Sequence, residues 1–162
     1  MVGEVLHVYI PARMSANEEH EWVSKMVGRM ERRRSADRID LARRARSLAR
    51  AHDLPVPATI RWVGNQEWRW GSCTPSDGTI RISSRLAKEP AWVLDYVIVH
   101  ELAHLSVAGH GPRFWRLVER YPLAERARGF LMARGLATGE PDSPSDEGGL
   151  PDGSEPGSVT AV

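Results

Sequence analysis

The sequence predicts an α+β domain: a short, mainly antiparallel sheet packed on helices, one of them carrying an H-E-x-x-H pentapeptide. Three observations predict it. Apolar residues recur at helical spacing up to about His52 and again from Pro90 to about Ala133. Between these stretches, Ala58 to Ser83 reads as short β-branched runs broken by turn residues. The chain is 41% hydrophobic and 27% charged, the balance of a globular domain, and its 162 residues are enough for one core.

The elements follow in order. Val5 to Ile10 is a β-branched run closed by Pro11, a strand. Ser15-Ala16-Asn17-Glu18 has capping-box spacing, and Trp22, Val23, Met26, Val27 and Met30 form an apolar stripe. A helix is therefore predicted from Ser15 to about Arg33. A second is predicted from Ala36 to His52, with Ile39, Ala42, Ala45, Leu48 and Ala49 on its apolar side. Leu54-Pro55-Val56-Pro57 ends it. Ala58–Val63 and Glu67–Cys73 read as strands. Pro75-Ser76-Asp77-Gly78 is a turn, and Thr79–Ser83 alternates with period two as the returning strand. Pro90 opens a helix apolar on most sides, which Gly109, Gly111 and Pro112 stop. Two further helices are predicted, from Pro112 to Tyr121 and from Leu123 to about Ala133. Residues 1–137 thus form one domain, with a strand and two helices over 1–54 and a catalytic core over 55–137. Residues 138–162, rich in Gly, Pro, Ser and acids, are expected to be a disordered acidic tail.

The net charge of +1 hides an asymmetry. Six of the 21 acidic residues and none of the 22 basic ones lie from Thr138 onward, so the body carries 22 basic against 15 acidic residues, a net +7. A basic body can meet a nucleotide or nucleic acid, with the Arg-rich stretch from Arg32 to Arg50 as the contact, or can be a solvated helix face. The single cysteine, Cys73, precludes an internal disulfide and reads as a small packed residue. The apolar runs fall well short of the ~20 residues of a membrane helix. With no signal-like N-terminus, the expected compartment is the cytoplasm.

The chemistry sits in His100-Glu101-Leu102-Ala103-His104, with His110 six residues on. Positions four apart share a helix face, so His100 and His104 can bind one metal ion. Gly109 lets the chain leave the helix and bring His110 back as a third ligand. Three imidazoles and an open position are the donor set of catalytic zinc, whose bound water ionises near pH ~7. Glu101 lies beside the ligands as the general base. Arg69, Arg113 and Tyr121 are candidates to stabilise an oxyanion. A structural zinc site would be cysteine-rich and would leave Glu101 without a role.

Arg69-Trp70-Gly71-Ser72-Cys73, the alternating strand, Pro90, and Val93 through Leu105 closely resemble the YgjP-like (WGSC-motif) metallopeptidase family, and His110 with Phe114-Trp115 continues the likeness. The resemblance covers about Pro57 to Tyr121. It implies a small zincin-like fold, with His100, His104 and His110 as zinc ligands and Glu101 as base. Gly109-His110-Gly111-Pro112-x-Phe114 is also similar to SprT-type metalloproteases, which act on DNA-bound proteins. The spacing matches the metzincin motif, but Val107 stands at its glycine position and no Met-turn follows, which excludes that group. The expected activity is zinc-dependent cleavage of peptide bonds in a peptide or protein. The alternatives are a metal-dependent nucleotide phosphohydrolase and an SprT-like protease.

Overall fold

A computed structural model describes residues 9–11, 13–64 and 69–138. Among these residues, five α-helices accompany a three-stranded sheet on which α2 and α3 pack, the α+β class that the sequence predicts. Most of the predicted strand Val5–Ile10 lies outside the described residues, and its last two, Tyr9 and Ile10, are not in a strand. The acidic segment from Gly139 onward also lies outside them.

Helix α1 spans Ala16–Asp37. Its capping box is formed: the Glu18 N–H donates to Ser15 Oγ, and the Ser15 N–H donates to the Glu18 carboxylate at 2.8 Å. The helix runs four residues past its predicted end, and α2 (Leu41–Ala51) starts later than predicted. The cause is Asp40, whose carboxylate accepts the Arg43 N–H at 2.8 Å and so caps α2. The stretch from Arg32 to Arg50 is therefore two helices, broken between Arg38 and Asp40. At the far end of α2, the Leu54 N–H donates to the Ala49 carbonyl at 2.8 Å around Asp53, which adopts φ 52°. This is a Schellman closure with a non-glycine residue in the left-handed position. Arg120 reinforces it from the other side of the chain, donating to the His52 and Asp53 carbonyls.

Strands β1 (Thr59–Val63), β2 (Gly71–Thr74) and β3 (Thr79–Ser83) lie in the order β1-β3-β2. The β2–β3 hairpin is antiparallel as expected, but β1 pairs with β3 in parallel, so the sheet is mixed. The chain leaves a one-strand gap between β1 and β2, and β3 returns from the Pro75–Gly78 turn to fill it. Gly78 takes φ +67° there, and its carbonyl accepts the Ala58 N–H at 3.0 Å. Ile80 and Ile82 of the central strand are fully buried.

After a 3-10 helix (Ser84–Lys88) comes α3, Ala91–His104. Nine of its 14 residues are buried, which makes it the centre of the core. It packs on α2, β2, β3, α4 (Pro112–Val118) and α5 (Ala124–Thr138). It ends at His104, before the glycines expected to stop it, because the Leu105, Ser106 and Val107 N–H groups already close onto Leu102 and Ala103. The N-terminal half of α3 is pinned by the Arg44 guanidinium, which grips the Asp95 carboxylate with both Nε and Nη2 and donates to the Ala91 carbonyl at 3.2 Å. No helix among the described residues is long and apolar enough to cross a membrane.

The left-handed turn at Asp53 gives a stability test. Asp53→Gly relieves the Cβ strain and gives up only an exposed ion pair with Arg120. Thermal unfolding of the variant is expected to show a gain of about 0.5–1 kcal/mol. A loss would mean that the Asp53 side chain holds the closure.

Candidate metal centre

The last turn of α3, the loop from Leu105 to Gly111 and the start of α4 build one cluster. His100 and His104 project from successive turns of α3, and His110 returns from the loop. His110 Nε2 lies 3.1 Å from His104 Nε2 and 3.2 Å from His100 Nε2. His104 Nδ1 sits 3.0 Å from the Val107 carbonyl. A carbonyl only accepts, so Nδ1 carries the proton and Nε2 presents a lone pair to the cluster. His100 is held neutral, its imidazole pushed down to about 3 by burial and by the two neighbouring histidines.

These nitrogens fit a metal ion. A tetrahedral ion with bonds of about 2.0–2.1 Å separates its ligand atoms by roughly 3.3 Å, close to the spacing here. With His104 Nε2 open as an acceptor, the three imidazoles, each offering one nitrogen, could hold one ion. His100 and His104 are half-buried and His110 is exposed, so the cluster opens to solvent on the His110 side.

Phe114, fully buried, forms the floor. It stacks on His104 at 4.4 Å and sets its edge against His100 and His110 at 4.8 and 4.7 Å. Trp115 flanks His110 at 5.9 Å, with the Arg128 guanidinium 5.1 Å over its own ring. The stripe of Phe114 and Trp115 is visible in the sequence as core; its contact with the imidazoles is not.

Glu101 lies on the side of α3 facing β2. It is 6% exposed, and burial pushes its carboxyl up to about 8, against a downward pull from Arg69. Its neighbour is Gly71. A Cβ there would sit 2.5 Å from Glu101 Oε1 and 2.9 Å from its Cγ, so only glycine admits this carboxylate beside the strand. That explains the glycine of the Trp70-Gly71-Ser72-Cys73 segment, which spacing alone did not. Cys73, two residues on, has its thiol pushed up to about 11 by burial, then by the charges of Glu101 and Asp77. It stays protonated at neutral pH and is no nucleophile.

The three oxyanion candidates separate. The Tyr121 hydroxyl donates to the Trp92 carbonyl at 3.1 Å, in the first turn of α3. Trp92 precedes His104 by twelve positions, roughly 18 Å along the helix, so Tyr121 is not at the cluster. Arg113 is exposed on α4. Arg69, at the approach to β2, is the candidate whose charge reaches Glu101. The expected role of Gly109 is also corrected. Gly78 is the only glycine with positive φ among the described residues, and the chain has left α3 before Gly109 is reached.

A family model described as YgjP-like, metallopeptidase domain, matches residues 4–131, a longer span than the motifs from Pro57 to Tyr121. Among solved structures, the chain is similar to the metallopeptidase zymogen abylysin of Pyrococcus abyssi. The two share 21% identity and superpose with a TM-score of 0.52, covering 60% of this chain and 93% of that one. At that identity the likeness is one of fold. No curated protein matches the sequence.

Two expectations follow from the glycine geometry and the buried carboxyl. Gly71→Ala should lower stability by about 1–3 kcal/mol, because a methyl is driven into Glu101. Gly109→Ala, in open space, should leave it unchanged or raised by up to about 1 kcal/mol. Chemical denaturation measures both, and equal effects would refute the packing account. The second expectation concerns pH in metal-free protein. The folded-state pKa of Glu101 is raised, so its contribution is fully present below about 4.5 and is lost as pH rises to about 8. Melting curves of chelated wild-type protein should therefore fall over that window relative to Glu101→Gln. Parallel curves would show that the carboxyl is not desolvated.

Proposed function

The chain belongs to the YgjP-like metallopeptidase family, and we propose that it is a zinc peptidase in which His100, His104 and His110 hold the ion and Glu101 is the general base. The observation that carries this reading is the approach of His110 Nε2 to His104 Nε2 at 3.1 Å and to His100 Nε2 at 3.2 Å, on the helix that also bears the buried Glu101. Zinc is favoured over other divalent cations by the all-imidazole donor set. When bound, it supplies a Lewis acid and an activated water.

The chain's own residues do the rest. Val107 fixes the tautomer of His104 and so aims its Nε2. The Glu101 carboxyl, raised by burial, would be drawn back toward ionisation by a cation held by the three imidazoles, which suits a base working near neutral pH. Arg69, the cation whose charge is felt at Glu101, is the residue we assign to stabilise a developing oxyanion.

Strand β2 supports a peptide as substrate. It is one of the two outer strands of the sheet among the described residues and the one beside Glu101, whereas β3 is paired on both sides. The Ser83 N–H donates to the Trp70 carbonyl, so the bonded pairs with β3 continue at Ser72–Arg81 and Thr74–Thr79. The main-chain groups of Gly71 and Cys73 therefore turn outward, ready to pair with an extended peptide. The edge to watch is β2, not the Thr79–Ser83 strand. The match over residues 4–131 supports reading residues 1–137 as one catalytic domain, with 138–162 as an acidic appendage. The engagement of Arg44 by Asp95 removes one charge from the Arg-rich stretch and weighs against a phosphate-binding role.

Elemental analysis of purified protein should find about one zinc per chain, lost in His104→Ala. Glu101→Gln should keep the metal and lose turnover on casein or peptides by about 10²–10⁴-fold. Metal-free wild type, or full activity in Glu101→Gln, would overturn the assignment. Hydrolysis of nucleoside triphosphates without peptide cleavage would move it to the phosphohydrolase reading.

A further inference from the structure

Helix α1 is 22 residues long and buries one of them, Ala36, near its end. Helices in water depend on covering an apolar stripe. Here the stripe is on the surface: Trp22 is 55% exposed, Met26 36% and Met30 39%. These are three of the large apolar side chains left open among the described residues, and all lie on one row. The helix meets the domain elsewhere, through the 3-10 helix, where the Glu31 carboxylate accepts from Lys88 Nζ.

The row has a symmetry that identifies its occupant. At 3.6 residues per turn, Glu19, Trp22, Met26, Met30 and Arg33 share one side of α1, roughly opposite Glu31. Met26 is its centre. Trp22 and Met30 lie four residues before and after it, and Glu19 and Arg33 lie seven before and after. A second α1 laid antiparallel would set Met26 on Met26, Trp22 on Met30 and Glu19 on Arg33. A parallel copy would set Glu19 on Glu19 and Arg33 on Arg33, which repel. A partner of one charge sign, such as the acidic segment of this chain, would meet Glu18, Glu19 and Glu21 at one end. We propose that this face of α1 is the interface of a homodimer, with two α1 helices packed antiparallel about a two-fold axis at Met26. Such an interface is self-complementary, as a closed dimer requires.

Sedimentation or light scattering of the full chain across a concentration series tests it. The wild type should be a dimer, and Met26→Lys should weaken dimerisation by at least about tenfold. Glu19→Arg and Arg33→Glu should each weaken it, and the double reversal should restore it. All are surface changes, and circular dichroism checks that the fold persists. Met26→Cys should cross-link to itself on mild oxidation, with the wild type, which keeps Cys73, as the blank. A wild type that stays monomeric overturns the proposal. So does a dimer indifferent to Met26→Lys, or a double reversal that fails to restore association.

Discussion

Burying a carboxyl near the C-terminal end of a core helix is the constraint that organises this molecule. Among the described residues the buried polar side chains are Ser83 and Glu101, and Glu101 sits on a helix apolar on nearly every side. A desolvated carboxylate without compensation is costly, which is why its pKa rises to about 8. The fold makes room for it with the one residue that has no Cβ, Gly71, in the same C-terminal half of α3 that carries His100 and His104. A cation among those imidazoles would favour the ionised form of the desolvated carboxyl, which is one way a metal centre couples to its fold.

Rigidity at the two ends of α3 comes from different chemistry. The first half is held by charge, with Arg44 forked onto Asp95 and Tyr121 bonded to Trp92. The last turn is held by rings and one carbonyl, with Phe114 under all three imidazoles and Val107 on His104. Burial in an aromatic cup keeps His100 neutral, while Arg69 is the cation that acts on Glu101.

How much of this was legible follows from the range of each interaction. Capping and alternation are local, so the Ser15 box and the Thr79–Ser83 strand stand where the sequence puts them. The spacing of His100 and His104 is local too, and their imidazoles meet. Strand pairing is not local: nothing in Thr59–Val63 says that it lies parallel to β3, since its partner is chosen by how the hairpin returns. The pairing of Gly71 with Glu101 spans thirty positions, and no periodicity records it. Tyr121 and Gly109 were misplaced for a related reason. A hydroxyl near a motif in sequence can lie a helix length away in space, and a glycine that could turn the chain need not be where it turns.

The stripe on α1 shows the same limit from the other side. Hydrophobic periodicity states that a face is to be covered, and Trp22, Met26 and Met30 state it plainly. It does not say by what, and the domain core does not cover it. The ordering of charge along the helix carries that second message. Acidic residues crowd its first turns and Arg32, Arg33 and Arg34 its last. This polarity matches the helix dipole within one chain, and it also makes α1 the complement of its own antiparallel copy. Because α1 rests on the 3-10 helix through the side that bears Glu31, an interface at Met26 would lie on the opposite side of α1 and leave β2 and the histidine cluster on other elements.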